Sequence, residues 1–198
     1  MDLEFDAEEA QRFLPLVGYS NYKGLEFRFL SDKNAFSVWP EDGDPPWELC
    51  KKATRAGYSI SYVACVRGDG RRGDKISVIQ ANFLWADIDA QAFDAKDIVH
   101  GKELALEHLD RVLPPEQSPS ILIDSGHGFH ALWLLERPWA FDMDGSIEMF
   151  ELLLRRLAKR LKADRSSAEA ARVLRLPGSV NFKDKDNPCL CKIVRINH

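Results

Sequence analysis

The feature that most constrains this chain is an apolar run that ends in two carboxylates. The run occupies residues 83–89 and reads FLWADID. In a strand, residues two apart point to the same face, so Asp87 and Asp89 are expected to project together while their neighbours pack. Two carboxylates directed at one point repel each other unless a cation lies between them, and such hard oxygen ligands suit Mg²⁺ or Mn²⁺. The run therefore predicts a strand with a divalent-metal site; the alternative is a strand end that runs into an acidic turn.

Composition describes an ordinary soluble globular protein. The chain has 198 residues, of which 45% are hydrophobic and 29% are charged, so it can form one domain, alone or with a small lobe. It contains no apolar run near the ~20 residues that a membrane span needs. The N-terminus is acidic and lacks the order of a signal peptide. We therefore expect a cytoplasmic protein without a membrane partner.

The cysteines predict no structural zinc and no disulfide. Four cysteines are present, and no two of them form a C-x-x-C pair. Cys189 and Cys191 would lie on one face of a strand, but no second pair completes a metal site. Reduced thiols are the expectation.

Charge is distributed unevenly along the chain. Residues 1–150 carry 15 Lys and Arg against 26 Asp and Glu, whereas residues 151–198 carry 12 against 5. A basic C-terminal quarter on an acidic body suggests a localised surface for a polyanion. The alternative is a basic helix face in contact with solvent only.

Helical and strand-like patterns alternate without a strict βαβ period, which favours an α+β fold with a mixed or antiparallel sheet. Helices are predicted at 3–17, 45–56, 93–112 and 147–162. Strands are predicted at 25–30, 36–39, 58–66, 120–124, 129–135, 172–176 and 190–196, with one or two more within 76–89. A polar glycine-rich loop is predicted at 67–74.

A second group of polar residues lies between the strands predicted at 120–124 and 129–135. Gly126 and Gly128 permit positive φ and would expose backbone N–H groups, as loops that bind phosphates require. The Ser125 hydroxyl adds a donor, and His130 begins the returning strand, where its imidazole could donate to a triphosphate. The alternative is a hairpin whose glycines serve only its turn, with His127 exposed.

A third group follows the basic helix. Asp164 could supply a third carboxylate, and the guanidinium groups of Arg172 and Arg175 suit bidentate phosphate contacts. Asn181 and Lys183 alternate in an extended segment after a Pro-Gly turn. The alternative is an aspartate helix cap followed by surface arginines.

The order of these motifs resembles the archaeo-eukaryotic primase superfamily. It consists of D-x-D after a strand, S-G-x-G-x-H on a hairpin, and an aspartate followed by R-L-P-G-S-x-N-x-K. The closest likeness is the primase-polymerase branch of prokaryotic, plasmid and phage replication proteins. The likeness covers residues 58–196, and the segment RVLRLPGSVNFK at 172–183 is its most specific part.

The resemblance implies an RRM-like catalytic sheet with packed helices and a small N-terminal α/β lobe. Residues 1–198 would form a single catalytic domain, with an N-terminal part at 1–57 and a core at 58–198. This domain would be cut from a longer protein that could also carry a helicase or accessory domain.

The resemblance also implies roles for individual residues. The catalytic and metal-binding carboxylates would be Asp87, Asp89 and Asp164. The nucleotide-binding residues would be Ser125, His130 and Arg172, with a phosphate contact also possible at His127; Gly126 and Arg175 join this set on the chemistry of the turn and of the guanidinium group. Apart from the resemblance, the basic charge of Arg155, Arg156, Lys159, Arg160, Lys162 and Lys183 makes them candidates for contacts with the DNA backbone, and the alternative for the helix is an exposed basic face without a partner. Many relatives have Asp-x-Glu where this chain has Asp-x-Asp, which shortens the second ligand by one methylene and can shift metal preference.

The expected function is template-directed nucleotidyl transfer, as in a DNA primase or DNA polymerase. Its partners would be a DNA template or primer and a dNTP or NTP, with two Mg²⁺ or Mn²⁺ ions as cofactors. One alternative is a non-catalytic RRM-like nucleic-acid-binding domain. Another is a metal-dependent endonuclease of the replication-initiator type. Such enzymes need a tyrosine downstream of their histidines, whereas the four tyrosines here lie upstream, at Tyr19, Tyr22, Tyr58 and Tyr62.

Overall fold

The computed structural model describes residues 3–40, 44–68, 75–143 and 145–197. Most of the glycine-rich loop predicted at 67–74 lies outside these ranges. The helices are α1 (Ala7–Leu16), α2 (Trp47–Arg55), α3 (Ile98–Val112) and α4 (Ser146–Leu161). The strands are β1 (Phe27–Leu30), β2 (Ala35–Val38), β3 (Ser59–Val63), β4 (Cys65–Arg67), β5 (Val78–Asp89), β6 (Ile121–Asp124), β7 (Gly128–Ala140), β8 (Val173–Arg175), β9 (Val180–Asn181), β10 (Cys189–Leu190) and β11 (Lys192–Ile196).

The strands form two main antiparallel sheets. The first has the order β2-β1-β3-β8 and the second the order β11-β6-β7-β5-β4, while β9 and β10 form a short separate pair. The α+β class with antiparallel sheets is therefore confirmed. The N-terminal α/β part is joined to the rest by hydrogen bonds, because β1 pairs with β3 along its whole length, with Phe27 opposite Tyr62.

Two apolar cores hold the layers together. The larger core joins both sheets and includes Phe29 of β1, Ile60 of β3 and Trp85 of β5. The smaller core lies on the other face of the second sheet, where α3 and α4 pack; Ala86 and Ile88 of β5 belong to it. Alternate residues of β5 thus face different cores.

Several element boundaries differ from the sequence prediction, for local reasons. Helix α3 begins at Ile98 rather than at 93, because the Asp97 side chain caps it by accepting from the His100 N–H at 2.8 Å. The strand predicted at 58–66 is split at Ala64, whose N–H donates to the carbonyl of Arg172 at 2.9 Å. The strand predicted at 190–196 is interrupted at Cys191, whose N–H donates to Ser179.

One strand is longer than the sequence predicted, and another was not predicted as a strand. Strand β7 continues to Ala140, well beyond the predicted end at 135, because its second half pairs with the start of β5. Residues Val180–Asn181 form β9, which the sequence indicated only as extended. Among the described residues, no helix has the length and apolar character needed to cross a bilayer.

Candidate active site

Strand pairing brings the first two motifs together. In the register of β5 and β7, Asp87 lies opposite His130 and Asp89 lies opposite Gly128. Residues directly opposite each other in an antiparallel pair project to the same face. Since Ala86 and Ile88 pack against the helices, both carboxylates point to the other face. A cleft of about 380 Å³ opens there, and we call it the active-site cleft.

Gly128 has no room for a side chain at this crossing. A Cβ atom built on it would lie 2.0 Å from the carbonyl oxygen of Ile88. The glycine therefore permits the close approach of β7 to β5 that sets Asp89 beside the turn.

The third carboxylate, that of Asp164, lies beside the C-terminal half of β5, where β4 no longer pairs with this strand. The N–H of Asp164 donates to the carbonyl of Asp87 at 2.8 Å. Its carboxylate caps the short helical turn at 165–167 and accepts from the Ser166 N–H at 2.8 Å and the Ser166 hydroxyl at 2.7 Å. Burial raises the pKa of Asp164, but the Ser166 hydrogen bonds and the charge of Arg172 outweigh it, so this pKa lies below its usual value.

Cationic side chains approach all three carboxylates. The Arg172 guanidinium lies 3.3 Å from Asp87 and 3.8 Å from Asp164 through the same nitrogen. The Lys183 ammonium lies 3.5 Å from Asp89. The two cations offset the repulsion among carboxylates that share one cleft.

The carboxylate oxygens are ligands of the kind that a divalent cation prefers, but the three side chains do not yet converge on one point. Asp87 and Asp89 supply hard oxygen donors on one face, and their side chains are 24% and 36% exposed, so a cation has access from solvent. Asp164 is engaged with Ser166 and Arg172. Within the described parts of the chain, no three His, Cys, Asp or Glu side chains are grouped closely enough to hold a metal ion. Asp87 and Asp89 are therefore suited to bind Mg²⁺ or Mn²⁺, whereas Asp164 does not complete a set of three ligands in this structure.

His130 lies at the base of the cleft and is only 5% exposed. Its Nε2 is 3.7 Å from Asp87. Burial lowers its pKa most, and Arg175 and Arg172 lower it further, against an opposing effect of Asp87. The lowered pKa favours the neutral imidazole. Its Nδ1 is buried and has no hydrogen-bond partner among the described residues, and the same holds for one terminal nitrogen of Arg175.

The turn between β6 and β7 is held by side chains on both sides. Gly126 has a φ of +100°, as a left-handed turn requires. Its N–H, which the sequence predicts as a phosphate donor, instead donates to the Asp124 carboxylate at 2.9 Å. Lys102 of α3 holds the same carboxylate at 2.7 and 3.0 Å. The prediction of a free Gly126 N–H is thus wrong for this conformation, because Asp124 occupies it.

Asn181 is a positioning residue that the sequence analysis named within the third motif but to which it assigned no role. It is 3% exposed. Its side-chain amide donates to the Ser125 carbonyl at 2.7 Å and lies 3.4 Å from Nδ1 of His127, and its oxygen accepts from the Lys183 N–H at 3.0 Å. Its position in the motif at 172–183 indicated that Asn181 could be functional, but nothing in the sequence indicated that it contacts the turn at Ser125 and His127.

Most of the predicted site residues line the active-site cleft. They are Asp87, Asp89, Ser125, His127, His130, Asp164, Arg172, Arg175 and Lys183. The basic residues predicted at 155–162, on α4 and at its C-terminal cap, do not line it, and three of this group have other contacts. Arg155 contacts Glu151 at 3.4 Å, Arg160 donates to the Val112 carbonyl at 2.6 Å, and Lys162 lies over the Phe93 ring.

This cleft and its motifs lie in a region that matches a known family. Residues 80–198 match the family model of the RepB DNA-primase N-terminal domain. The chain belongs to this family. The match contains Asp87, Asp89 and Asp164, the turn at 125–128, and both Arg172 and Arg175.

Comparison with individual proteins agrees with the RepB primase family. A replication protein from Clostridium perfringens is 27% identical over 173 residues, which cover 84% of this chain and 39% of that protein. The chain thus spans about two fifths of the length of this curated relative.

Solved structures show that the fold is that of archaeo-eukaryotic primase-polymerase domains, as the sequence resemblance implied. The domain of the cyanophage S-2L primase-polymerase superposes with a TM-score of 0.71 at 17% identity, covering 98% of this chain and 92% of that one. The primase RepB′ superposes with a TM-score of 0.56 at 14% identity, covering 96% and 56%. The RepB′ catalytic domain in complex with initiator DNA gives 0.55 at 15% identity, covering 96% and 84%.

Proposed function

We propose that this domain catalyses template-directed nucleotidyl transfer, adding nucleotides to a DNA primer or starting one. The observation that carries the proposal is the meeting of Asp87, Asp89 and Asp164 with Arg172 and His130 in one cleft, from segments far apart in sequence. Carboxylates beside arginine and histidine can serve nucleotidyl transfer, in which a 3′-hydroxyl attacks the α-phosphate of a nucleoside triphosphate and pyrophosphate leaves.

Asp87 and Asp89 would hold the catalytic cations, with Asp164 at the edge of the site. Bound Mg²⁺ or Mn²⁺ would neutralise the triphosphate and lower the pKa of the attacking 3′-hydroxyl. The protein's own contribution is to position the reactants and to stabilise charge, because phosphoryl transfer needs little covalent chemistry from side chains.

Arg172, Arg175 and His130 would contact the phosphates of the incoming nucleotide. The two arginines supply permanent positive charge. The neutral His130 supplies one N–H at a buried position, where a hydrogen bond to a charged oxygen is stronger than in water. The Ser125 hydroxyl adds a further donor from the turn.

We infer that the partner is a DNA template with its primer. Family membership and the primase fold support this, and the RepB′ catalytic domain has been solved with initiator DNA. We also propose that the nucleotide substrate is a dNTP or an NTP. The full-length protein would carry an accessory or helicase domain in addition to this one.

Extension of a labelled primer on a DNA template, with Mn²⁺ or Mg²⁺ and dNTPs or NTPs, tests the proposal. Asp87→Ala and Asp89→Ala should each lower the rate at least about 100-fold, because charge stabilisation is lost where it is needed. Asp94→Ala, an exposed aspartate outside the cleft, is the matched control and should retain the wild-type rate. Circular dichroism checks that each variant is folded.

Full activity in either cleft variant would refute the assignment of the carboxylates. A wild-type domain that binds DNA but extends no primer, and starts none, would instead favour the non-catalytic binding domain.

A further inference from the structure

A second cleft lies beside the active-site cleft and shares part of its wall. It has a volume of about 210 Å³, and Leu30, Arg175 and Lys183 line both clefts. Its own walls include Ser59, Phe182 and Lys185. We call it the side cleft. An occupant of the side cleft would lie next to the carboxylates of the active site.

The charged groups of the side cleft are cationic except for one aspartate. Lys183, Lys185 and Arg175 line the cleft together with Asp32. Lys185 pairs with Asp32, and both side chains are more than 60% exposed, so the pair is weak and can exchange for another anion. One terminal nitrogen of Arg175 is buried with no partner in the described chain, which leaves an unsatisfied donor in the wall between the clefts. This arrangement suits phosphate groups.

Phe182 adds an aromatic surface to the same cleft. Its backbone N–H donates to the Ser59 hydroxyl at 2.9 Å, which fixes the chain where the ring meets the cleft. The ring is only partly buried. Partly exposed aromatic rings beside cations stack on the bases of single-stranded nucleic acids, and this stacking tolerates any sequence.

The basic helix α4 lies less favourably for the same partner. Its residues Ala158 and Leu161 pack in the smaller core with Ala86 and Ile88, whereas Phe150 and Leu154 belong to the larger core. None of its basic residues lines the active-site cleft, whereas Arg175 and Lys183 line both clefts. A strand whose end reaches the carboxylates therefore lies beside the side cleft.

We propose that the side cleft binds single-stranded nucleic acid next to the active site, with phosphates at Lys183 and Lys185 and one base on Phe182. The inference rests on the proposed function in that it gives a location to the nucleic-acid partner. It also relocates this partner from α4, where the sequence predicted most of the DNA contacts.

Fluorescence anisotropy of a labelled single-stranded oligodeoxynucleotide, measured in EDTA over a range of salt concentrations, tests the inference. Lys185→Ala should weaken binding and reduce the slope of log affinity against log salt by about 1, since one phosphate contact is lost. Phe182→Leu keeps an apolar side chain but removes the ring, and should weaken binding about tenfold with an unchanged slope.

Two controls make the result specific. Lys33→Ala removes an exposed lysine from the turn next to Asp32 but outside the side cleft, and should leave binding unchanged. The Arg156→Ala/Lys159→Ala double variant removes charge from α4 and should also bind like the wild type. Circular dichroism confirms the fold of each protein.

The inference is overturned if the wild type binds no oligonucleotide, if Lys185→Ala and Phe182→Leu bind like the wild type, or if the α4 variant accounts for the loss. Primer extension by the same proteins separates the two proposals. Extension by the wild type with unchanged binding by the side-cleft variants refutes only the inference. Binding that depends on the side cleft without any extension supports the inference and refutes the catalytic function.

Discussion

At the scale of single residues, the turn that carries Ser125 depends on two side chains outside it. Asp124 holds the Gly126 N–H from one side, and Asn181 holds the Ser125 carbonyl from the other. Neither contact is needed to form a hairpin as such. Both fix the orientation in which Ser125 and His127 face the active-site cleft.

Substitutions at Asp124 should change nucleotide affinity in a graded way. Asp124→Asn keeps an oxygen that can accept from Gly126 but loses the ion pair with Lys102, whereas Asp124→Ala loses both. We expect a small rise in the nucleotide KM for the first variant and a rise of about tenfold for the second, with DNA affinity unchanged. Steady-state extension kinetics measure both values. Equal KM values for Asp124→Ala and the wild type would contradict this role.

Asn181→Ala should reduce stability as well as activity. The substitution leaves the buried carbonyl of Ser125 without its donor, and an unsatisfied buried group costs about 1–3 kcal/mol. Urea unfolding gives the change in the free energy of unfolding. Asn187→Ala, an exposed asparagine in the following loop, serves as the comparison and should change it by less than about 0.5 kcal/mol. A similar small change in both variants would count against a buried structural contact at Asn181.

At the scale of elements, one glutamate ties α4 to the segment that leads to Arg172. Glu151 accepts from the Ala170 N–H at 3.0 Å and pairs with Lys75 at 2.6 Å. Burial raises its pKa, but these contacts and the hydrogen bond from Arg155 outweigh it, so the pKa lies below its ordinary value of 4.5. Residues 168–172 are therefore held against α4 by a charged group.

This contact predicts a pH-dependent stability. A carboxyl with a lowered pKa in the folded state stabilises the fold above its unfolded pKa, and the contribution is lost as the pH falls through the folded pKa. Glu151→Gln should therefore be less stable than the wild type at pH 7, by about 1 kcal/mol. The difference should shrink below pH 4.5 as Glu151 becomes protonated. Urea unfolding at several pH values measures it, and a difference independent of pH would exclude the charge as its cause.

Element types were more predictable than element ends. The helix at 147–162 and the strands at 120–124 and 129–135 follow from local periodicity, and all three are present. The break at Ala64 was not predictable, because it depends on the Arg172 carbonyl, more than 100 residues away. Periodicity reports which face of a segment is apolar, but not where a distant partner interrupts it.

At the scale of the whole molecule, the N-terminal residues are part of the main core. Phe13 of α1 packs edge to face on Tyr62 of β3, with ring centroids 5.2 Å apart. Phe29 of β1 and Ile60 of β3 belong to the same core, and these two strands are hydrogen-bonded. The region of family resemblance, residues 58–196, contains the motifs but does not have a core separate from that of residues 1–57.

A fragment of residues 58–198 should therefore fail to fold cooperatively. Removing residues 1–57 exposes the face of β3 that Phe13 and Phe29 cover, and a single buried aromatic side chain already contributes about 3–5 kcal/mol. Thermal unfolding followed by near-ultraviolet circular dichroism should show no sharp transition for the fragment. A transition at the midpoint of the intact chain would show that the core region folds alone.

The sequence by itself determined the family and predicted which residue types the candidate site contains. The spacing of Asp87 and Asp89 places both on one strand face, and the turn and arginine motifs keep a recognisable order along the chain. Such features depend on neighbouring residues only, so they can be read without the fold.

Only the tertiary structure decided which charged groups meet. Arg172 reaches Asp87 across 85 positions of sequence, Asn181 donates to the Ser125 carbonyl from the segment after β8, and the side cleft forms where the start of β3 meets the segment after β9. The basic residues of α4 are similar in composition to those of the cleft, yet the packing of α4 places them elsewhere. Contacts between distant segments depend on how the layers pack, and that information is not local to any motif.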